Sequence, residues 1–78
     1  MKGNYPGGEL DVTGLMCPLP VLRAGKRLKS MAAGSVLTVK ATDPMSRIDM
    51  PHYCREQGYE LLAAEEQDGI YIFRIRRA

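Results

Sequence analysis

The sequence predicts an α+β fold, a two-layer α/β sandwich of order β-α-β-α-β-β in which a four-stranded mixed sheet carries both helices on one face. Three observations lead there. Two short alternating stretches, Leu10/Val12 and Leu37/Val39/Ala41, are each followed by a stretch of helical character. Two further apolar runs flank Asp68-Gly69, a hairpin signal. A chain of 78 residues, 45% hydrophobic, has material for one small core and no second domain.

Residues 1–8 (Met-Lys-Gly-Asn-Tyr-Pro-Gly-Gly) are glycine-rich and without period, the composition of a flexible N-terminal tail, and leave residues 9–78 as a single domain. Glu9 to Val12 then reads as a short strand with Leu10 and Val12 toward the core and Asp11 away from it. From Pro18 to Ala32 the residues Val21, Leu22, Gly25, Leu28 and Met31 recur at three- and four-residue spacing, an amphipathic helix with Arg23, Lys26, Arg27 and Lys29 on its outer arc. Glycine inside a helix costs about 1 kcal/mol against alanine, so Gly25 points to a close approach of this helix to the sheet. Gly34 supplies a left-handed stop.

Ser35 to Ala41 is the second strand, with Leu37, Val39 and Ala41 facing the helices. Thr42-Asp43-Pro44 is a turn. Because proline is tolerated only near a helix start, Pro51 predicts a loop or single turn through Arg47 and a helix capped near Asp49, running to Gln57 with Gly58 as its stop. Met50, Tyr53 and Cys54 form its inner face. Tyr59 to Gln67 and Ile70 to Arg76 are then antiparallel strands, with Tyr71, Phe73 and Ile75 buried, Ile72, Arg74 and Arg76 outward, and Glu60, Leu62, Ala64 and Glu66 sharing that outer face.

The candidate chemistry centres on Cys17, followed by Pro18-Leu19-Pro20 at a strand-to-helix turn. Placing Pro18 at the first and Pro20 at the third helical position deletes no intrahelical bond, since first-turn amides have no partner there. The rings stiffen the turn, and Leu19 and Val21 supply the free amides nearest the sulfur. With the positive end of the helix dipole added, the thiol is expected to ionise more readily than an ordinary cysteine. Cys54 falls on a core-facing helix position, where packing outweighs chemistry. Whether it could pair with Cys17 is open at this level. His52, the only histidine, reads as a helix-surface residue, and one histidine with two distant cysteines gives no zinc spacing. Neither a metal nor a cofactor is expected.

The pattern Cys17-Pro18-x-Pro20 after Leu10-Asp11-x-x-Gly14, followed by Asp43-Pro44 and Asp49-Met50-Pro51-x-Tyr53-Cys54, resembles the TusA-type (SirA-like) sulfur-carrier family from about Glu9 to Arg76. The resemblance implies a persulfide carried on Cys17, a cysteine desulfurase or rhodanese-like sulfur donor, and an acceptor sulfur-relay protein. The pathways it implies are tRNA thiolation, with tRNA reached indirectly, molybdenum cofactor assembly or sulfur oxidation. Asp43, Arg47 and Asp49 form its second block. Capping and turn formation are the preferred reading of the two aspartates. Arg47, one residue earlier than the family's arginine, would stabilise the thiolate or persulfide. Thiol-to-thiol sulfur transfer needs no general base, because the leaving group is itself a stable thiolate.

The net charge of +2 identifies no nucleic-acid binder. Arg23, Lys26 and Arg27 form either a solvated face or a docking surface for an acidic partner or tRNA. The rival readings are a non-catalytic interaction or RNA-associated module using Arg23, Lys26, Arg27, Arg74, Arg76 and Arg77, and a thiol redox protein. No apolar run is long enough for a membrane helix. Without a secretory segment or a disulfide framework, a reducing cytoplasm is the expected compartment.

Overall fold

The computed structural model describes residues 7–78. Its elements are β1 (Gly7–Val12), α1 (Leu19–Lys29), β2 (Val36–Ala41), α2 (Ser46–Gln57), β3 (Glu60–Gln67) and β4 (Ile70–Arg76). The sheet order is β1-β2-β4-β3, with β1 parallel to β2 and β4 antiparallel to both of its neighbours. This is the expected four-stranded mixed sheet with two helices. The first strand begins inside the stretch read as a tail: Gly7 and Gly8 pair with Val36 and Leu37. The rest of that tail, residues 1–6, lies outside the described residues.

One face of the sheet supplies most of the core. Val12, Leu37, Val39, Ala41, Phe73 and Ile75 pack against Ala24 and Leu28 of α1 and Met50 and Cys54 of α2, all of them buried. Tyr71, expected to be fully buried, packs on this cluster half-buried. The hairpin forms as expected at Asp68 and Gly69, whose φ values of 53° and 81° fit a turn with both central residues left-handed.

Four local expectations need correction. In β3, a register shift between Leu61 and Ala63 makes Leu62 an extra residue, so Ala64 and Glu66 lie opposite Phe73 and Tyr71 on the helix side. Strict alternation had put them outside, and a bulge reverses the faces beyond it. Second, α2 starts at Ser46 and keeps Pro51 inside it. Its first turn is held by Ser46 N–H to Asp43, Arg47 N–H to Pro44 and both Ile48 and Asp49 N–H to Met45. The carbonyl left without an amide by Pro51 belongs to Arg47, an exposed residue that water can serve. Third, α1 ends at Lys29 with Ser30 as its cap in right-handed conformation, and Gly34 (φ 88°) belongs to the turn into β2. Fourth, Leu22 is not core but 60% exposed, and Ala24 takes the buried position instead.

Gly25 marks a close approach, but to α2 and not to the sheet. A Cβ on Gly25 would lie 2.5 Å from the Tyr53 hydroxyl and 2.9 Å from the ring carbon bearing it. That hydroxyl is buried with no hydrogen-bond partner among the described residues, and its ring meets Tyr59 edge-on at 6.1 Å. Gly25→Ala should therefore destabilise the fold by about 1–3 kcal/mol through overpacking, against the gain of about 1 kcal/mol that alanine brings to a helix. Tyr53→Phe alone should be neutral or stabilising, because it removes a buried hydroxyl with no partner, and it should restore part of the loss in the double variant. Denaturant unfolding of the three variants checks this. A Gly25→Ala protein as stable as the parent would mean the helices separate without penalty.

Candidate functional site

The site forms where the parallel strands β1 and β2 end. Their register places Val12 opposite Ala41, so the loops that follow, Thr13–Pro18 and Thr42–Met45, leave the sheet side by side. Open sheets with parallel strands commonly form their sites at this carboxyl edge. Here the two loops are tied directly. The Gly14 amide, in a residue of φ 83°, donates to the Thr42 hydroxyl at 2.9 Å, and the Cys17 amide donates to Asp43 Oδ2 at 2.6 Å. The other carboxylate oxygen of Asp43 accepts the Met45 amide at 3.3 Å. Asp43 thus forms its expected turn and also holds the cysteine backbone in place.

Cys17 lies just outside α1. Pro18, joined to Cys17 by a cis peptide bond, is the N-cap residue, Leu19 is the first helical residue and Pro20, buried, is the second. Each proline is thus one position earlier in the helix than expected. The Leu19 amide, expected to serve the sulfur, donates to the Met16 carbonyl at 2.8 Å. The Cys17 thiol instead donates to Asp49 Oδ2, 2.9 Å away on α2. Asp49 is therefore no helix cap; it meets the reactive atom.

This reverses the expected electrostatics. The hydrogen bond to Asp49, followed by desolvation and the negative charges of Asp49 and Asp43, pushes the Cys17 thiol above the usual cysteine range. The prediction of an easily ionised thiol is overturned because a full negative charge at hydrogen-bond distance outweighs the roughly half charge of a helix end. Arg47 gives no help at the sulfur. It lines a separate hollow with Glu65, Glu66, Tyr71 and Phe73, on the β3–β4 side of α2.

Cys17 is an exposed free thiol, and Cys54 is a buried free thiol whose burial also raises it. His52, read from the sequence as a helix-surface residue, and Glu56, which sequence reasoning passed over, both border the site. Together with Cys17, Pro18, Val21, Asp49 and Tyr53 they line a cleft between α1 and α2. Residues 49, 52, 53 and 56 recur at helical spacing, which is the signal that could have found them. His52 and Glu56 approach at 3.4 Å. Around the sulfur Met16 is 72%, Leu19 43% and Met45 45% exposed, an apolar rim. Arg23 and Lys26 are exposed on α1, whereas the guanidinium of Arg27 lies over Gly8 of β1, close enough to meet a Cβ there at 2.8 Å. Among the described residues no group of three or more His, Cys, Asp or Glu side chains is arranged to hold a metal, and no helix is long and apolar enough to cross a membrane.

The family model described as sulfurtransferase TusA matches residues 8–77. A sulfur carrier protein TusA from Pseudomonas entomophila is 48% identical over 87% of this chain and 85% of its own. One from Pseudomonas putida is 44% identical over 99% of this chain and 96% of its own. The crystal structure of a SirA-like protein from Desulfitobacterium hafniense superposes with a TM-score of 0.79 at 32% identity, covering 88% of this chain and 95% of that one. With the match running from the first strand to the end of the last, the chain belongs to the TusA family.

Proposed function

We propose that this protein is a sulfur carrier that accepts sulfane sulfur as a persulfide on Cys17 and relays it to an acceptor protein. The observation that carries the reading is the presentation of Cys17: an exposed thiol whose backbone is fixed by Asp43 at the carboxyl edge of the parallel strands, within an apolar rim. The names of its relatives point the same way. In loading, the Cys17 sulfur gives up its proton and attacks the outer sulfur of a donor persulfide. A new S–S bond forms to Cys17, the donor's S–S bond breaks, and the donor's inner sulfur leaves as a thiolate. In unloading, an acceptor thiolate attacks the outer sulfur and Cys17 leaves in turn. Each step exchanges one S–S bond for another without net oxidation, so the protein acts as a sulfurtransferase without a cofactor.

The donor is a cysteine desulfurase or rhodanese-like protein and the acceptor a sulfur-relay protein, in a reducing cytoplasm, with tRNA reached only through that relay. The Cys17-Pro18-Leu19-Pro20 turn holds the sulfur at the surface, since neither proline can rotate φ away from the turn. Arg23 and Lys26 contribute to partner encounter; Arg27, spread over β1, contributes less. The RNA-binding reading is disfavoured by the distribution of basic residues. Arg74 lies on the sheet face opposite the helices, Arg76 pairs with Glu60 at 2.6 Å, and Arg77 donates to the Met31 carbonyl at 2.6 Å. No single face gathers them for phosphates. The redox reading has no resolving thiol to offer, as Cys54 is buried in the core.

Incubation with a cysteine desulfurase and labelled cysteine should add one sulfur to Cys17, located by mass spectrometry. Cys17→Ser should fold and lose the label completely; label retained on that variant would move the site to Cys54. Charge reversal at Arg23 and Lys26 should slow loading and weaken its salt dependence, while stability changes by less than about 0.5 kcal/mol. A loading rate that is unaltered and insensitive to salt would make the arc a solvated face.

A further inference from the structure

Resting on the carrier reading, the geometry points to Asp49 as the residue that decides which reagents can use Cys17. Its carboxylate holds the resting sulfur as a hydrogen-bonded thiol, and a partner that sets a positively charged or strongly hydrogen-bond-donating group against that carboxylate frees the sulfur to attack. The bond from Cys17 Sγ to Asp49 Oδ2 is 2.9 Å. A carboxylate can only accept, so the sulfur must supply the proton. Loss of that proton would leave two anions in contact, with Asp43 a second carboxylate on the same residue's amide.

Among the described residues that line the cleft there is no lysine or arginine to offset this. From α2 the cleft contributes Asp49, His52, Tyr53 and Glu56, with His52 and Glu56 3.4 Å apart and the Tyr53 phenol pushed up by burial, and from α1 it contributes Val21, which carries no charge. The upward shift of the Cys17 thiol, held protonated first by its hydrogen bond to Asp49, agrees with the arrangement. The carboxylate is a latch. Since the thiolate is the nucleophile toward electrophiles and oxidants alike, the latch keeps an exposed sulfur unreactive in bulk solution. A docked protein donor loads it by supplying the missing positive field.

The test uses Asp49→Asn, which keeps the shape and an accepting oxygen but removes the charge, with Asp49→Ser as a second variant should the first unfold. Alkylation of Cys17 by iodoacetamide is followed across pH on the full chain. The expected result is a midpoint lowered by about half a unit or more, and hence alkylation and peroxide oxidation about three-fold or more faster at neutral pH. Sulfur loading from inorganic polysulfide should rise by a similar factor, while loading from a cysteine desulfurase rises less, so that the preference for the protein donor falls. An unmoved midpoint in a folded variant overturns the latch whatever happens to sulfur loading. A lowered midpoint with an unchanged preference overturns the role in partner choice. Alkylation involves no sulfur transfer, so a chain that never loads sulfur but shows the shifted midpoint refutes the carrier reading and leaves the latch standing.

Discussion

The parallel pairing of β1 with β2 is the constraint on which the site depends. With Val12 set opposite Ala41, the chain leaves both strands at the same edge and the two loops have no choice but to lie together. Everything chemical follows from that adjacency. Thr42 can reach the Gly14 amide, Asp43 can reach the Cys17 amide, and α2, starting directly after, brings Asp49 to the sulfur. A register slip of one residue would turn Leu10 and Val12 to solvent as well as separating the loops. The buried face of the sheet and the site are therefore fixed by the same hydrogen bonds.

Helix packing fixes the other wall of the site. Gly25 lets Tyr53 lie directly against α1, and the hydroxyl it buries has no hydrogen-bond partner among the described residues. A buried hydroxyl of that kind is unfavourable, so the close approach is sustained by the apolar contacts of Ala24 and Leu28 with Met50 and Cys54 beneath it.

Two opposing electrostatic influences meet at Cys17, and their ranking changes the view of its reactivity. The helix end offers about half a positive charge spread over its first turn. Two prolines remove their own amides from that turn and the Met16 carbonyl takes the amide of Leu19. Asp49 offers a whole negative charge at 2.9 Å. The carboxylate dominates, and the exposed Cys17 thiol is held above the usual cysteine range.

The sequence by itself determined the order of elements, the hairpin at Asp68-Gly69, the buried rows Leu37/Val39/Ala41 and Phe73/Ile75, and the prominence of Cys17, because each follows from local periodicity, turn chemistry or a motif. The second block, Asp43 to Cys54, was legible as a unit through the family pattern, but what its members do was not. Whether Asp49 caps a helix or meets a thiol depends on where the preceding strand lies, and a residue 32 positions from its partner carries no local trace of that contact. The packing of separate segments places Arg47 in a hollow it shares with Glu65 and Glu66, away from the sulfur, and sets Gly25 against α2 and not the sheet. The tertiary structure also decided that one extra residue at Leu62 turns Ala64 and Glu66 to the helix side. In each case the deciding quantity is the position of a second segment, and periodicity within one segment cannot encode it.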